Sequence, residues 1–408
     1  MKKHLSSLLV LATFYSCDQP SSYDPVAQIS DDVKILASDS LSGREVGTEG
    51  EKMAADYITN EFKKAGLQPK GTDGFYQSFF VKDADNPHAQ PSSESGENGI
   101  TGYNVLGMID NPGDELVVIG AHYDHLGMGD FSSLHRGEKA IHNGADDNAS
   151  GVAAMLHLAR VLSEKELDRD IIFIGLSGEE KGLWGSNYFT KNPTVDLSKV
   201  NFMINMDMVG RLDQSKGLAV NGTGTSPIWN WLLDEVNSDS LKLIKSESGV
   251  GPSDHTSFYL QDIPVLHFFT GQHEDYHKPG DDTDKINFNG ILQVASFIER
   301  MILLMDDDEK IAFTKTKDNS DNPRFTVTLG VVPDYMFDGE GMRIDGVSED
   351  KPAIKAGILK GDIVVQLGDS TVTDMMSYMR ALSTYSKGDK TKVIVDRGGE
   401  RLNFSIEF

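Results

Sequence analysis

The sequence predicts an α/β fold, a mostly parallel mixed sheet flanked by helices, with a small β-rich domain behind it. Three observations predict this. Four apolar runs, residues 115–121 (ELVVIGA), 171–176 (IIFIGL), 200–206 (VNFMINM) and 263–269 (IPVLHFF), have the length of strands and almost no polar alternation, so both of their faces are buried. Stretches at helical spacing lie between them, and strands that alternate with helices build a mostly parallel sheet covered on both sides. Beyond residue 324 the runs become short and β-like (FTVTLGVV, GMRIDGV, DIVVQLG, KVIVDR, LNFSIEF).

Taken in order, the chain opens with MKKH, an apolar run over 5–14 and the small Ser16 just before Cys17, its one cysteine. That is the pattern of a secretory signal, too short to span a membrane permanently. It resembles a bacterial lipoprotein signal, in which the cysteine carries a lipid. Residues 1–16 are therefore expected to be a signal peptide, Cys17 a membrane anchor in the cell envelope (periplasm or outer membrane), and 17–25 a tether; plain secretion is the alternative. With one cysteine, no disulfide within the chain can form. The net charge of −25 excludes nucleic acid as a partner, because a phosphate backbone demands a basic footprint. At 408 residues the chain is too long for one compact core.

Residues 26–66 follow a helical pattern, with Ala54, Tyr57, Ile58 and Phe62 on one face and Gly66 as a stop. The Pro, Ser, Glu and Gly-rich stretch 86–99 reads as a loop. Helices are expected over 152–162, over 227–236 with Ser226 as cap and Pro227 as first helical residue, and over 289–305. Residues 26–305 make one domain, and the charged and polar segment 306–323 reads as a linker. In the domain 324–408, a helix is expected over 375–382, Gly357 ends a shorter one, and Gly361 turns into a strand over 363–367.

Chemistry gathers at the carboxyl ends of the apolar strands. AHYDH (121–125), SGEE (177–180) and NMDMVG (205–210) follow three of them directly; HNGADDNASG (142–151) and YHKPGDDT (276–283) follow at short distance. In an open α/β sheet, this edge is where ligands bind. Singly, each cluster has a plain explanation: Asp, Asn, Gly and Ser make turns and caps, His122 could be a core histidine, and Glu179 and Glu180 could be surface acids. Asp207 is different, since an acid closing a buried strand is costly to leave unpaired. Five such clusters on one edge point to metal. Imidazole and carboxylate without thiolate suit zinc, with manganese or cobalt next.

In this order, AHYDHLG, HNGADDNASG, GLSGEEKGLWGS, NMDMVG and YHKPGDDTD resemble the motifs of the co-catalytic zinc aminopeptidases typified by bacterial leucyl aminopeptidase. That family also holds glutamate carboxypeptidases and glutaminyl cyclases. LSGREVGTEGE and YITNEFKKAGLQP resemble the family's opening, and the likeness covers residues 26–305. The resemblance implies two Zn²⁺ ions per chain bridged by Asp147, not Asp146, with His122 and Asp207 completing one site and Glu180 and His277 the other. It implies Glu179 as general base, Asp124 as the group that orients His122, and a cis peptide bond between Asp147 and Asn148. Tyr276 either stabilises the tetrahedral intermediate by hydrogen bonding or packs. His125, His135, His142, His267 and His273 match no ligand position. The implied activity is removal of N-terminal residues from peptides; the alternatives are a carboxypeptidase, a glutaminyl cyclase or a catalytically silent peptide-binding lipoprotein. In the tail, TLGVVPDY and DKPAIKAGILKGDIVVQLGD resemble a PDZ domain of bacterial proteases. That likeness implies capture of a peptide carboxylate at Leu329, Gly330 and Val331, the alternative being a structural appendage.

Overall fold

The computed structural model describes residues 24–408 apart from 83, 85–89, 94–95, 97, 130–131, 307–308, 317–326, 335–336, 338 and 348–350. The expected signal peptide, Cys17 and nearly all of the tether lie outside the described residues. Among those described, no helix is long and apolar enough to cross a membrane.

The larger unit is built on a ten-stranded mixed sheet. Its strands are β1 (Gln68–Pro69), β2 (Tyr76–Lys82), β3 (Pro91–Ser92), β4 (Gly99–Ile109), β5 (Leu116–His122), β6 (Asp170–Leu176), β7 (Val200–Met206), β8 (Leu218–Asn221), β9 (Leu243–Ser246) and β10 (Val265–Phe269). They lie in the order β3-β2-β4-β6-β5-β7-β10-β8-β9, with β1 paired to β4. At the centre β6, β5, β7 and β10 run parallel, and these are the four apolar runs of the sequence. On one flank β4 and β2 are antiparallel, and on the other β8 is antiparallel to β10.

Successive side chains of a strand point to opposite faces, and that alternation builds two cores. Val117, Ile119, Phe173, Ile204 and Phe268 face one layer, whereas Leu116, Val118, Ile172, Met203 and Val265 face the other. The first layer is filled by α1 (Pro25–Leu36), α2 (Glu49–Lys64), α3 (Gly151–Leu162) and α7 (Phe288–Leu304). The second holds α4 (Trp184–Lys191) and α6 (His255–Tyr259) through Phe189 and Phe258. The caps are local chemistry: Asp24 accepts from Val26 N and Ala27 N ahead of Pro25, and Asn287 accepts from Gly290 N at 2.9 Å. α3 is buried almost all round, as its apolar sequence demands.

Three sequence expectations are corrected. Among its described residues the expected loop 86–99 holds one short strand, β3, and it ends where β4 begins. The glycines that break the apolar pattern of β4 are there for space, because a Cβ on Gly107 would stand 2.8 Å from the Phe62 ring and one on Gly102 would stand 2.5 Å from Phe79. The helix expected from Pro227 starts later, as α5 (Trp229–Glu235), after a turn closed by Trp229 N donating to Ser226 O. The first part of the expected linker is a strap along the larger unit. Asp306 accepts from Asp168 N and Arg169 N, Ile311 is buried in the first core, Phe313 packs on the second, and Thr314 N donates to Thr225 O at 2.8 Å. The alternating apolar residues of IAFTKT provide the anchors.

The β-rich unit has strands β11 (Val331–Pro333), β12 (Met342–Val347), β13 (Ile363–Leu367), β14 (Ser370–Thr371), β15 (Lys390–Arg397) and β16 (Glu400–Glu407), all paired antiparallel. With α8 (Pro352–Ala356) and α9 (Met375–Leu382) they enclose a separate core that includes Leu329, Ile344, Val364 and Val395. The strand expected over 363–367 and the helix expected over 375–382 have those bounds. Gly357 and Gly361 take φ of +88° and +91°, which a side chain rarely adopts.

Candidate metal centre

The centre sits where the parallel strands end. β5 closes on His122, β6 runs into the loop of Glu179 and Glu180, β7 is followed by Asp207, and Asp147 lies just ahead of α3. His277 comes from the loop after β10, held at φ +53°. The five expected metal ligands therefore meet from five segments far apart in sequence.

Their spacing is informative. His122 Nε2 stands 3.3 Å from Asp207 Oδ1 and 3.4 Å from Asp147 Oδ1. The other oxygen of Asp147, Oδ2, is 3.3 Å from His277 Nε2, which is itself 3.3 Å from Glu180 Oε2. Two ligands bound to zinc at about 2.0–2.1 Å in tetrahedral geometry stand about 3.3–3.4 Å apart. Asp147 thus offers one oxygen to each of two triads. The residues present fit zinc in kind and in spacing.

The imidazoles are oriented from behind. His277 Nδ1 lies 3.0 Å from Ser132 O, a hydrogen bond that puts the proton there and leaves Nε2 free to ligate. For His122 the expectation is modified. Its Nδ1 lies 3.3 Å from the backbone carbonyl of Asp124 and 3.8 Å from that residue's carboxylate, too far for a hydrogen bond. The carboxylate instead accepts from Glu179 N at 3.1 Å and so anchors the loop of the expected base. His125, to which the sequence gives no ligand position, does have a place here. Its Nδ1 is 2.7 Å from Glu180 Oε1, a hydrogen-bond distance rather than a ligand-to-ligand one, and 3.9 Å from Asp147 Oδ2. Its position three residues beyond His122 was the only available signal.

The segment 145–148 is stitched down by its neighbours. The peptide bond between Asp147 and Asn148 is cis, as the resemblance implies. Asp281 Oδ2 accepts from both Asp146 N and Asp147 N at 3.0 Å. Asn148 ties the segment to the end of β7, donating to Met206 O and accepting from Met208 N. Asp146 points elsewhere: it accepts from Gly210 N at 2.6 Å, and its other oxygen lies 3.1 Å from His273 Nε2.

Electrostatics separate the two adjacent glutamates. Burial pushes the Glu179 carboxyl well above the usual range, against His122 and with the help of Asp207, Glu180 and Asp254. Burial also pushes Glu180 up, but His277 and His125 outweigh it and hold that carboxyl well below the range. Both glutamates line a cleft at the centre. Met208, Phe269 and Tyr276 give it an apolar wall, and Asn221, His267 and Gln272 a polar one. The Tyr276 ring stacks on His277 with centroids 3.8 Å apart, a packing contact at the rim of the cleft. His267 is hydrogen-bonded to Asn221 and stacked on His255, and His142 lies 2.8 Å from Ser133 Oγ. Leu329, Gly330 and Val331 lie in the β-rich unit. There the Leu329 carbonyl accepts from Ala353 N, and Gly330, at φ +78°, donates its N–H to Thr328 Oγ1.

Residues 104–302 match the model of peptidase family M28, and residues 311–408 match that of the PDZ domain. The chain carries an M28 peptidase domain joined to a PDZ domain. The M28 domain is similar to an aminopeptidase of Bacillus subtilis, YwaD, with 30% identity over 218 residues, which is 48% of this chain and 43% of that one. It is 26% identical over 210 residues to a probable leucine aminopeptidase of Arthroderma otae, covering 48% of this chain and 55% of that one. The chain thus spans about half the length of these curated relatives. Among solved structures, a Zn-dependent exopeptidase from Parabacteroides distasonis superposes with a TM-score of 0.56 at 16% identity, over 68% of this chain and 97% of that one. BSAP, a zinc aminopeptidase from Bacillus subtilis, gives 0.54 at 19% identity, over 70% and 98%. Both share the fold of the M28 domain described here.

Proposed function

We propose that the chain is a zinc-dependent aminopeptidase that removes N-terminal residues from peptides at a two-metal centre. The observation that carries this reading is Asp147, whose two oxygens each stand at ligand spacing from a histidine of a different triad. His122, Asp147 and Asp207 would hold one zinc ion, and Asp147, Glu180 and His277 the other. When bound, zinc polarises the scissile carbonyl and acidifies the attacking water. Glu179 takes a proton from that water and returns it to the leaving amine, a role open to a carboxylate that lines the cleft beside both triads. Asp124 holds Glu179 in place through the Glu179 N–H, and His125 holds Glu180 through its imidazole. The hydrolase reading is favoured over a cyclase, which uses one metal, because two triads are present. Aminopeptidase is favoured over carboxypeptidase by the names that the relatives carry.

Export, and anchoring through a lipid at Cys17, belong to the same proposal and rest on the signal-like opening of the sequence. So does capture of peptide C-termini at Leu329, Gly330 and Val331. The test is a panel of aminoacyl-anilides given to metal-stripped and zinc-restored protein, beside N-terminally blocked peptides with free C-termini. Cleavage of the anilides that returns with zinc is expected, and cleavage of the blocked peptides alone would overturn the aminopeptidase reading. Glu179→Ala should lower kcat about 10²–10⁴-fold and leave zinc bound; unchanged turnover would remove Glu179 from the mechanism.

A further inference from the structure

Arg44 ends the short 3-10 segment Asp39–Arg44 and is only 1% exposed. Its guanidinium meets backbone. Nε donates to Tyr123 O at 2.7 Å, Nη1 to Leu36 O at 2.5 Å and to Asn143 O at 2.7 Å, and Nη2 to Gly144 O at 3.0 Å. Tyr123 directly follows His122, and Gly144 stands three residues before Asp147. One planar fork therefore spans the two loops that bring His122 and Asp147 together.

The residues beside Arg44 extend the grip. Gly43 O accepts from Gly127 N at 3.0 Å and Arg44 O from His125 N at 3.3 Å. The approach is so close that a Cβ on Gly43 would stand 2.6 Å from Gly127 O and from His142 O. Glu45 pairs with Lys181 Nζ at 3.0 Å, next to Glu180, and Asp39 accepts from Asn143 Nδ2 at 2.9 Å. Residues 43–45 thus touch three of the loops that carry the centre. The charge is also in place. Burial pulls the guanidinium down to about 10, Asp124, Asp147, Asp281 and Glu180 act against that, and it stays a cation at neutral pH. Lysine could not replace it, since an ammonium lacks the rigid fork that reaches several carbonyls at once.

We propose that Arg44 is a positioning residue of the metal centre, fixing the spacing between the His122 and Asp147 loops and offsetting the acids gathered there. The inference rests on the reading of this centre as a zinc site. Burying a cation among carbonyls is costly, and a purely structural role would tie that cost to the fold alone.

The test uses the full chain with Arg44→Lys and Arg44→Met. Zinc affinity is measured by chelator competition, and thermal unfolding is followed for metal-stripped and zinc-loaded protein. Arg44→Lys should weaken zinc binding about 10- to 100-fold, the usual effect of removing a group that supports metal ligands. It should also shrink the rise in Tm that zinc produces, while the metal-stripped Tm changes much less; Arg44→Met should do more of both. Equal losses of Tm with and without zinc, at wild-type zinc affinity, would overturn the proposal. Should neither variant fold, Asp39→Ala combined with Glu45→Ala loosens only the outer rim of the grip. Weaker zinc binding in that variant supports the proposal, and unchanged binding overturns it. Failure of the wild-type protein to bind zinc would instead overturn the metal-site reading.

Discussion

Asp147 sends one oxygen toward His122 and the other toward His277, whereas Asp146, one residue earlier, turns away to accept from Gly210 N. The two aspartates should therefore fail differently. Asp147→Asn should abolish zinc binding at both triads, as read by metal analysis. Asp146→Asn should keep the metal and lower stability by about 1–3 kcal/mol, the cost of a mismatched buried hydrogen bond, as read by denaturant unfolding. The family resemblance, aligned on Ser150 and Gly151, singled out Asp147 as the expected bridge. The sequence did not reveal what fixes it, because the two amides that Asp281 holds lie more than 130 residues away. A second residue-scale consequence comes from His157 on α3, away from the centre. Burial and then Arg160 pull its imidazole down to about 4. In the unfolded chain it titrates near 6.5, so between those values the unfolded state binds the extra proton and stability falls as pH is lowered. The loss should amount to about 3 kcal/mol across that window. Chemical unfolding of wild type and His157→Gln at pH 7 and pH 4.5 measures it: the variant should lose less on acidification, and equal losses would clear His157 of the effect.

The elements that present the site differ in how plainly they could be read. The four parallel strands announced themselves, because burial on both faces leaves an unbroken apolar run. β4 did not, since its glycines at 102 and 107 interrupt the pattern in order to admit Phe79 and Phe62. The loops at the strand ends were legible as candidate metal sites from their residue types together with their common place on one sheet edge, and the family resemblance supplied the expected roles. Their shapes were not, because they depend on backbone contacts made by Arg44, Asp281 and Asn148. Gly144 is one place where shape becomes testable. It sits at φ +56°, and a Cβ there would stand 2.1 Å from Asp147 O and 2.5 Å from the His125 ring. Gly144→Ala should cost about 1–3 kcal/mol of stability, the usual range for a residue forced into such a conformation, and should weaken zinc binding with it. Thermal unfolding with and without chelator separates the two effects. The strap shows the limit of composition as a guide: a polar segment reads as a linker, yet Ile311 and Phe313 suffice to lay its first part on the peptidase domain.

At the scale of the whole molecule, the peptidase cores and the PDZ core are built from separate residues. Calorimetry should resolve two unfolding transitions, and only the peptidase one should move with zinc. A ligand at 1,000 times its Kd adds about 4 kcal/mol to the state that binds it. Movement of both transitions together would mean that the domains unfold as one unit. Ending the chain after residue 316 should leave the peptidase transition in place, whereas ending it before Ile311 should lower it. The edges of the sheets bear on how the chain behaves in company. A ten-stranded sheet has two open margins, and each exposes a row of unpaired backbone groups on which another chain can add. Here one margin is β3, two residues long and begun by a proline, and the other is β9, four residues long. The longer margin, β16 of the PDZ sheet, carries Glu400, Arg401 and Glu407 on its exposed positions. The broad sheet that gathers the loops of the candidate metal centre therefore offers little foothold for aggregation, and crowding many copies together should not zip them edge to edge.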